Sequence, residues 1–296
     1  MAILLDGKAV AQQIRQGLAQ QVRDLQSANH RVPHLAIVLI GDNPASHTYV
    51  HNKIKACHEV GFQATCIQQA DLPETSLVKL IGDINHDNAI DGLIVQLPLP
   101  QHISAPKVID CIKPEKDVDG LHPLNYGRMA RSLPAHIPAT PLGILTLLAH
   151  YQIPTQGKHC VLVGRGAIVG TPLSMLLSRN AYPGNATVTF CHSYTQDLDS
   201  YTRQADILVV AVGKPKMITA AMVQQGAVVI DVGITRVPDL TSKTGYGLQG
   251  DVDFEQVAPQ CSYITPVPGG VGPMTIAALL GNTLRAAQKA PSKAAG

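Results

Sequence analysis

Short apolar runs alternate along the chain with segments in which apolar residues recur every three or four positions. The longer period begins near the start, at Val10, Ile14, Leu18, Val22 and Leu25. This spacing places the apolar side chains on one face of an amphipathic helix. Strands are predicted where the apolar runs fall, at 35–40 (LAIVLI), 64–67 (ATCI) and 92–97 (GLIVQL). Strands that alternate with helical segments indicate parallel α/β units.

A second series of apolar runs follows the segment PAHIPATP. It comprises HCVLVG, ATVTF, DILVVAVG and AVVIDVG, and the segment LGILTLLAHY predicts a helix that connects the two series. We therefore predict two α/β domains, over residues 1–138 and 139–273. The last helix, predicted over 274–290, is expected to return to the first domain. The segment 235–250 is predicted to be a surface loop.

Composition excludes several classes of function. Apolar residues make up 45% of the chain and charged residues only 15%, below the roughly 25% of a typical domain, which favours extra buried area such as a subunit interface. The net charge is +2 and no Lys/Arg-rich run occurs, so nucleic-acid binding is not expected. No apolar stretch is long enough to span a membrane, and the start lacks signal-peptide features, so we expect a cytoplasmic protein. The six cysteines form no CxxC pair and are expected to be reduced thiols.

A glycine-rich turn follows the first strand of the second series. Gly164, Gly166 and Gly170 form the pattern G-x-G-x-x-x-G, one residue longer than the common dinucleotide fingerprint. Glycine lets a pyrophosphate approach the backbone N–H groups at a helix N-terminus. An ordinary turn between strand and helix is the alternative, because glycine is common there. The position at the start of a fresh α/β series favours a dinucleotide site.

The residues after the next strand indicate which dinucleotide binds. An NAD site usually offers a carboxylate there for the ribose 2′-hydroxyl. The sequence TVTFCHSYT instead provides His192 and Ser193, and Arg165 lies in the glycine loop itself. A cation with hydroxyl donors suits a 2′-phosphate, so we predict NADP; a solvated loop charge is the alternative for Arg165. No GxxxxGK[ST] motif occurs, so ATP-driven phosphoryl transfer is not favoured.

The segment after the first strand contains two residues that could act on one ligand. Asn43-Pro44 predicts a helix start, and Tyr49 and Lys53 are four residues apart on one face of that helix. A lysine that transfers protons near neutral pH needs a lowered pKa, and an aromatic neighbour helps to exclude water. On these residues alone, a helix that merely borders a core is the stronger explanation.

Other polar residues near the strands are candidates for ligand binding. Gln96 lies at the carboxyl-terminal edge of a predicted parallel strand, where such sheets place ligands. Asp117 and Asp119 lie in the segment EKDVDGLHP, where either could bind a ligand, although turn formation also explains Asp119-Gly120. The segment HTYVH lacks the glutamate of the HExxH zinc motif, so no metal site is predicted.

Seven stretches occur in order along the chain: SHTYVHNKIKAC, DGLIVQLPLP, KDVDGLHPLN, PATPLGI, VGRGAIVGTP, DVGI and YITPVPGGVGPMT. Together they resemble the bifunctional methylenetetrahydrofolate dehydrogenase/methenyltetrahydrofolate cyclohydrolase family over nearly the whole length. The resemblance implies an α/β fold of two domains with a cleft between them, the second a Rossmann-type doubly wound parallel sheet. It also implies NADP-dependent oxidation of 5,10-methylenetetrahydrofolate and hydrolysis of the 5,10-methenyl product to 10-formyltetrahydrofolate, in a homodimer.

The resemblance also implies roles for individual residues. Lys53 would assist proton transfer in the hydrolytic step, and Gln96 would orient it and keep it from permanent protonation. Tyr49 would stack on the aminobenzoyl ring of the substrate, and Asp119 would hold the pterin ring. Further substrate contacts are expected from Val95, Leu97, Pro268, Gly269, Gly270, Val271 and Gly272. Cofactor contacts are expected from Gly164, Arg165, Gly166, Gly170, Ser193, Gly213 and Ile234.

Two positions depart from the pattern of many family members. Gly166 stands where many have serine, and Tyr194 stands where many have a basic residue. The missing hydroxyl removes one hydrogen bond to a phosphate, worth about 1 kcal/mol. Both departures predict weaker discrimination between NADP and NAD, while Arg165 and Ser193 still favour NADP.

Three other hypotheses compete with the bifunctional enzyme. A dehydrogenase with little cyclohydrolase activity is disfavoured by the presence of Tyr49, Lys53 and Gln96. A regulatory protein would bind NADPH without turnover. A different NADP-dependent oxidoreductase of small carbonyl compounds would leave the stretch TPVPGGVGPMT unexplained.

Overall fold

The computed structural model describes residues 2–239, 241–242 and 245–289. The described strands are β1 Ile3–Leu4, β2 His34–Ile40, β3 Gln63–Gln69, β4 Gly92–Val95, β5 His159–Val163, β6 Thr187–Cys191, β7 Ile207–Val210, β8 Val228–Asp231, β9 Thr235–Pro238, β10 Tyr246–Gln249 and β11 Tyr263–Ile264. The described α-helices are α1 Gly7–Ser27, α2 Pro44–Val60, α3 Glu74–His86, α4 Ala105–Asp110, α5 Pro123–Ala130, α6 Ala139–His150, α7 Gly170–Ser178, α8 Leu198–Thr202, α9 Phe254–Val257 and α10 Val271–Lys289. None of these helices combines the length and apolar character needed to cross a bilayer.

The chain forms two compact units. The three-stranded unit comprises the described parts of Gln12–Ala139 and Ile276–Gly296, and the six-stranded unit those of Met1–Ala11 and Thr140–Thr275. The helix predicted over 274–290 is α10, which begins three residues earlier, at Val271; residue 290 lies outside the described residues. The assignment of separate functions to the two units remains a prediction.

The three-stranded unit contains a parallel sheet in the order β3-β2-β4. Strand β2 is central, and its residues from Leu35 to Ile40 are all buried, as expected for a parallel strand that is covered on both faces. The predicted strands at 35–40 and 64–67 are confirmed, each slightly longer than expected. The third prediction was too long, because β4 ends at Val95 and Gln96 lies just beyond it.

The six-stranded unit contains a parallel sheet in the order β1-β11-β8-β7-β5-β6. All four apolar runs of the second series form strands of this sheet, as predicted. Strand β1 also pairs in it, although the sequence analysis counted the first residues with the other domain. The strand order reverses between β5 and β7, and open α/β sheets bind ligands beyond the carboxyl ends of strands at such a point.

The segment 235–250 is not the surface loop that was predicted. Strands β9 and β10 form an antiparallel pair, in which Thr235 lies opposite Gln249. Each strand has only four residues, and Pro238 and Gly247 interrupt the alternation that normally reveals a strand. Residues 240, 243 and 244 lie outside the described residues.

Candidate active site

Lys53 lies within the buried face of α2. The side-chain oxygen of Asn43 caps the helix by accepting a hydrogen bond from the backbone N–H of Ala45 at 2.9 Å. The buried positions of the helix recur every three or four residues: Ser46, Val50, Lys53, Ala56, Cys57 and Val60. Lys53 is only 8% exposed, so it is not the solvated lysine that usually borders a core. Tyr49, one turn earlier, is half-buried.

Gln96 fixes the position of the Lys53 side chain. The Nζ atom of Lys53 donates a hydrogen bond to Oε1 of Gln96 at 2.9 Å. Gln96 is itself anchored, because its backbone N–H donates to the carbonyl oxygen of Val38 at 2.9 Å and its Nε2 donates to that of Leu97 at 2.6 Å. The amide oxygen is neutral, so it orients the amine without stabilising the ammonium as strongly as a carboxylate would.

Burial lowers the pKa of Lys53, although Asp119 acts in the opposite direction. Burial also raises the pKa of Asp119, reinforced by Asp117 and opposed by Lys53. The pKa of Cys57 is raised by burial to about 12, so its sulfur stays protonated and supplies no negative charge. Desolvation therefore favours the uncharged forms of both Lys53 and Asp119.

The two aspartates of the segment EKDVDGLHP have different surroundings. Asp117 is 1% exposed and accepts hydrogen bonds from the backbone N–H groups of Leu121 and His122 at 3.1 and 2.8 Å and from Nδ2 of Asn125 at 2.9 Å. Asp117 therefore holds the turn. The Asp119 carboxylate accepts no hydrogen bond from the described residues and interacts electrostatically with Lys53. The structure thus distinguishes a structural aspartate from one that is available to a ligand.

The glycine loop joins β5 to α7 in the six-stranded unit. Gly164 has φ +117°, and a Cβ there would overlap the carbonyl oxygen of Ala211. A Cβ on Gly170 would overlap the carbonyl oxygen of Gly164. These two glycines are therefore required by close backbone packing at the point where the strand order reverses. Gly166 differs, because no atom lies within 4 Å of the position that a Cβ would take, and a larger residue would fit there.

Arg165 and the end of β6 form an exposed polar group that suits a phosphate. The guanidinium carbon of Arg165 lies 5.7 Å from the ring centroid of Tyr194, a contact that orients the cation. Ser193 is exposed beside Tyr194. Strand β6 is followed by His192 rather than by a carboxylate. The residues present thus fit a dinucleotide that carries a 2′-phosphate.

Two buried carboxylates that the sequence analysis did not single out hold the neighbouring loops. Oδ2 of Asp251 accepts hydrogen bonds from the N–H groups of Val212 and Gly213 at 2.7 and 3.0 Å. Oδ1 of Asp231 accepts one from Gly233 at 2.9 Å, and burial raises the pKa of Asp231 to about 6. These bonds fix the loops that carry Gly213 and the exposed Ile234. The sequence feature related to this packing is Gly233, because a Cβ there would overlap the Asp251 carboxylate.

The segment Pro268 to Gly272 lies between β11 and the first turn of α10. Gly269 has φ +113°, and its carbonyl oxygen accepts a hydrogen bond from the N–H of Lys8 at 2.8 Å. Gly270 donates from its N–H to the carbonyl oxygen of Pro266 at 2.8 Å. These backbone hydrogen bonds hold the glycine-rich loop formed by the stretch TPVPGGVGP.

The structure brings together part of the predicted site. Lys53, Gln96 and Asp119 interact within the three-stranded unit, where Val95 and Leu97 flank Gln96. Gly164, Gly170 and Gly213 lie around the strand-order reversal of the six-stranded unit, with Arg165 and Ser193 at the end of β6. The contact of each residue with a substrate or cofactor remains a prediction.

Comparison with known families identifies both parts of the chain. Residues 5–119 match the catalytic domain of tetrahydrofolate dehydrogenase/cyclohydrolase. Residues 138–291 match the NAD(P)-binding domain of the same enzymes. The two matches together cover most of the sequence.

Individual relatives match over almost the full length. The bifunctional protein FolD of Amoebophilus asiaticus is 68% identical over 97% of each chain. The crystal structure of FolD from Campylobacter jejuni is 44% identical, covers 97% of this chain and 99% of its own, and gives a TM-score of 0.91. The Trypanosoma brucei enzyme, solved with NADP cofactor and inhibitor, is 38% identical over 97% of this chain and 98% of its own, with a TM-score of 0.93.

Proposed function

Because the chain belongs to the tetrahydrofolate dehydrogenase/cyclohydrolase family, we propose that it carries out both reactions of that name. It oxidises 5,10-methylenetetrahydrofolate to the 5,10-methenyl compound with NADP, and it hydrolyses that compound to 10-formyltetrahydrofolate. The observation that supports this most strongly is the buried Lys53, held by a neutral amide and close to Asp119.

Lys53 is proposed to move the proton in the hydrolytic step. When water adds to the methenyl carbon, the uncharged Nζ accepts one of its two protons, which leaves a neutral hydroxyl adduct. The bond from that carbon to N5 then breaks as the C=O bond forms, and the hydroxyl proton passes to N5 to give the 10-formyl product. One N–H bond of Nζ is held by Gln96 Oε1 at 2.9 Å, which directs the nitrogen lone pair. The methenyl substrate is a cation, so an ammonium beside it would be repelled, and the lowered pKa of Lys53 reduces that repulsion.

The remaining residues of the three-stranded unit are proposed to bind the substrate. The Asp119 carboxyl group, which accepts no hydrogen bond from the described residues, binds the polar edge of the pterin ring. Tyr49 stacks on the aminobenzoyl ring, since it precedes Lys53 by one helical turn. Val95, Gln96 and Leu97 complete the wall on the β4 side. Pro268 to Gly272, which belong to the six-stranded unit, are proposed to contact the substrate as well.

The six-stranded unit is proposed to bind NADP, which when bound supplies the oxidant for the first reaction. The backbone N–H groups of the glycine loop at the start of α7 would hold its pyrophosphate. Arg165 and Ser193 bind the 2′-phosphate, and Gly213 and Ile234 contact the other half of the cofactor. Asp251 and Asp231 act on cofactor binding indirectly, by holding the loops that carry Gly213 and Ile234.

We further propose that the protein works as a homodimer in the cytoplasm. The low content of charged residues, 15%, supports an extensive subunit interface. Sedimentation equilibrium of the purified protein gives the oligomeric state directly. A monomer at micromolar concentration would contradict the dimer and leave the two activities untouched.

An absorbance time course tests the two reactions together. The purified protein is mixed with methylenetetrahydrofolate and either NADP or NAD, and the NADPH and methenyl signals are followed. We expect a signal with NADP and then decay of the methenyl compound faster than in an enzyme-free control. Signal without accelerated decay would contradict the cyclohydrolase activity, and silence with both dinucleotides would contradict the function as a whole.

A further inference from the structure

A cavity of about 500 Å³ lies in the three-stranded unit and is lined by none of the predicted substrate or cofactor residues. Its wall includes Ile90 and Asp91, at the amino-terminal end of β4, whereas Gln96 follows the carboxyl-terminal end. The five residue steps from Asp91 to Gln96 span roughly 16 Å of extended chain. The cavity is therefore separate from the Lys53 site, and its volume is typical of small-molecule sites, which range from roughly 300 to 1,000 Å³.

The cavity wall is strongly cationic. Its positively charged residues are Arg31, Lys113, Lys116, Arg128 and Lys289. Its carboxylates are Asp91 and Glu115. The wall thus carries an excess of three positive charges, whereas the whole chain has a net charge of only +2. In a protein with so few charged residues, this concentration of one sign at one cavity favours an anionic ligand.

Part of this charge is used within the protein. Arg31 pairs with Asp91, with 2.7 Å between Nη1 and Oδ2. The Nζ atom of Lys116 donates to two backbone carbonyl oxygens at the end of α3, at 2.8 and 2.6 Å. Three side chains have terminal nitrogen atoms with no hydrogen-bond or ion-pair partner among the described residues: Lys113, Arg128 and Lys289. The Nε atom of Arg128 donates to the carbonyl oxygen of Pro134 at 2.8 Å, which orients its remaining donors.

The buried histidine of this wall adds no charge to it. His136 is 6% exposed, and its Nε2 lies 3.0 Å from the carbonyl oxygen of Glu115. Because a carbonyl oxygen only accepts, Nε2 carries the proton and Nδ1 does not. Nδ1 is buried without a partner in the described part of the chain. Burial lowers the pKa of His136, opposed by the carbonyl oxygen of Glu115 and by Asp117 and reinforced by Arg285 and Lys289, so the uncharged ring is favoured at neutral pH.

We infer that this cavity binds a small organic anion that carries at least two negative charges. Its anionic groups pair with the terminal side-chain nitrogen atoms of Lys113, Arg128 and Lys289, which have no partner among the described residues. Carboxylates and phosphate esters both provide the required charge, so the test includes one ligand of each kind.

Isothermal titration calorimetry tests this inference on the full-length protein at constant ionic strength, with saturating NADPH to occupy the dinucleotide site. The first probe is citrate, which carries three carboxylates. The second is glycerol 2-phosphate. The cavity variant is the double substitution Lys113→Gln/Arg128→Gln. The matched control is Arg23→Gln/Lys79→Gln, which removes the same charge from exposed positions of the same unit outside the cavity.

We expect citrate or glycerol 2-phosphate to bind the wild-type protein and the control alike, and at least tenfold more weakly to the cavity variant. The tighter of the two probes identifies the anionic group. Absence of binding by both anions, or equal affinity in the cavity and control variants, would overturn the site.

Discussion

The two units of the molecule differ in the features that suit them to bind a ligand. In the three-stranded unit, ionisable side chains are buried: Lys53 occupies a core-facing position of α2, and its partner is a neutral amide. In the six-stranded unit, neighbouring backbone segments pack closely against each other. Gly164 and Gly170 allow this packing, which any Cβ at these positions would prevent. The charged residue of its glycine loop, Arg165, is exposed.

This difference follows from what each unit has to do. Proton transfer needs an amine with a lowered pKa, and only desolvation or a like charge provides that. A pyrophosphate is already charged, so it needs N–H donors and room rather than a changed pKa. We therefore expect substitutions in the first unit to change chemistry and those in the second to change binding.

The largest effect is expected for Lys53→Met. Removing the proton acceptor should lower the cyclohydrolase rate by roughly a thousandfold or more, while the dissociation constant for NADPH stays within twofold. Stopped-flow decay of the methenyl compound and fluorescence titration with NADPH measure the two quantities. Lys55→Met, on the exposed side of the same helix, is the control and should retain both. A cyclohydrolase rate unchanged by Lys53→Met would refute the assigned role.

Gly170→Ala should disrupt the cofactor unit instead. Its Cβ would overlap the backbone oxygen of Gly164, and relief of such a clash costs about 3 kcal/mol. If that cost falls on the loop conformation that binds NADPH, the dissociation constant rises roughly a hundredfold, while cyclohydrolase activity persists. Gly166→Ala, with open space around its Cβ, should change the affinity less than twofold. Equal effects of the two substitutions would contradict the distinction drawn between these glycines.

The sequence predicted β2, β4, β5, β7 and β8 well, because parallel strands that are buried on both faces are continuous apolar runs. The edge strands β3 and β6 were also predicted, although few of their residues are buried. The sequence did not predict β1 and β11, which have two residues each, or the β9–β10 pair. The burial of Lys53 could have been inferred, since it continues the spacing of Ser46, Val50 and Cys57 along α2. The local sequence instead favoured a helix at the border of a core, because a lysine normally argues against a buried position.

Residues whose partners are far away in the sequence could not be predicted from local sequence patterns. Asp231 and Asp251 are twenty residues apart in sequence, and Asp251 bonds to a loop almost forty residues earlier. No local pattern indicates such pairing. Asp117 and Asp119 were likewise indistinguishable, because their roles depend on which carboxylate meets the N–H groups of the turn.

The pH dependence of stability should reveal the buried lysine. At pH values between the lowered folded-state pKa of Lys53 and its ordinary value of 10.5, the unfolded chain binds a proton that the folded chain does not. The free energy of unfolding should therefore rise with pH in that window, by up to about 1.4 kcal/mol per unit. Urea unfolding of the wild-type protein and Lys53→Met between pH 7 and 10 measures the difference. Parallel pH profiles would mean that Lys53 is not desolvated.

Arg165→Ala should change which dinucleotide is preferred. The exposed guanidinium is expected to bind the 2′-phosphate that only NADP carries, so its loss should reduce the ratio of kcat/KM for NADP to that for NAD roughly tenfold. The rate with NAD should hardly change. An equal decrease with both dinucleotides would indicate that Arg165 supports the loop through its contact with Tyr194 rather than the phosphate.

The smallest effect is expected where this chain departs from many of its relatives. Gly166→Ser places a hydroxyl in open space, where it can donate one hydrogen bond to a phosphate of the cofactor. One such bond contributes about 1 kcal/mol, which corresponds to a roughly fivefold lower dissociation constant for NADPH. Fluorescence titration of Gly166→Ser beside Gly166→Ala separates the hydroxyl from the added carbon. A similar decrease in the dissociation constant of both variants would show that reduced freedom of the loop, rather than a new hydrogen bond, tightens binding.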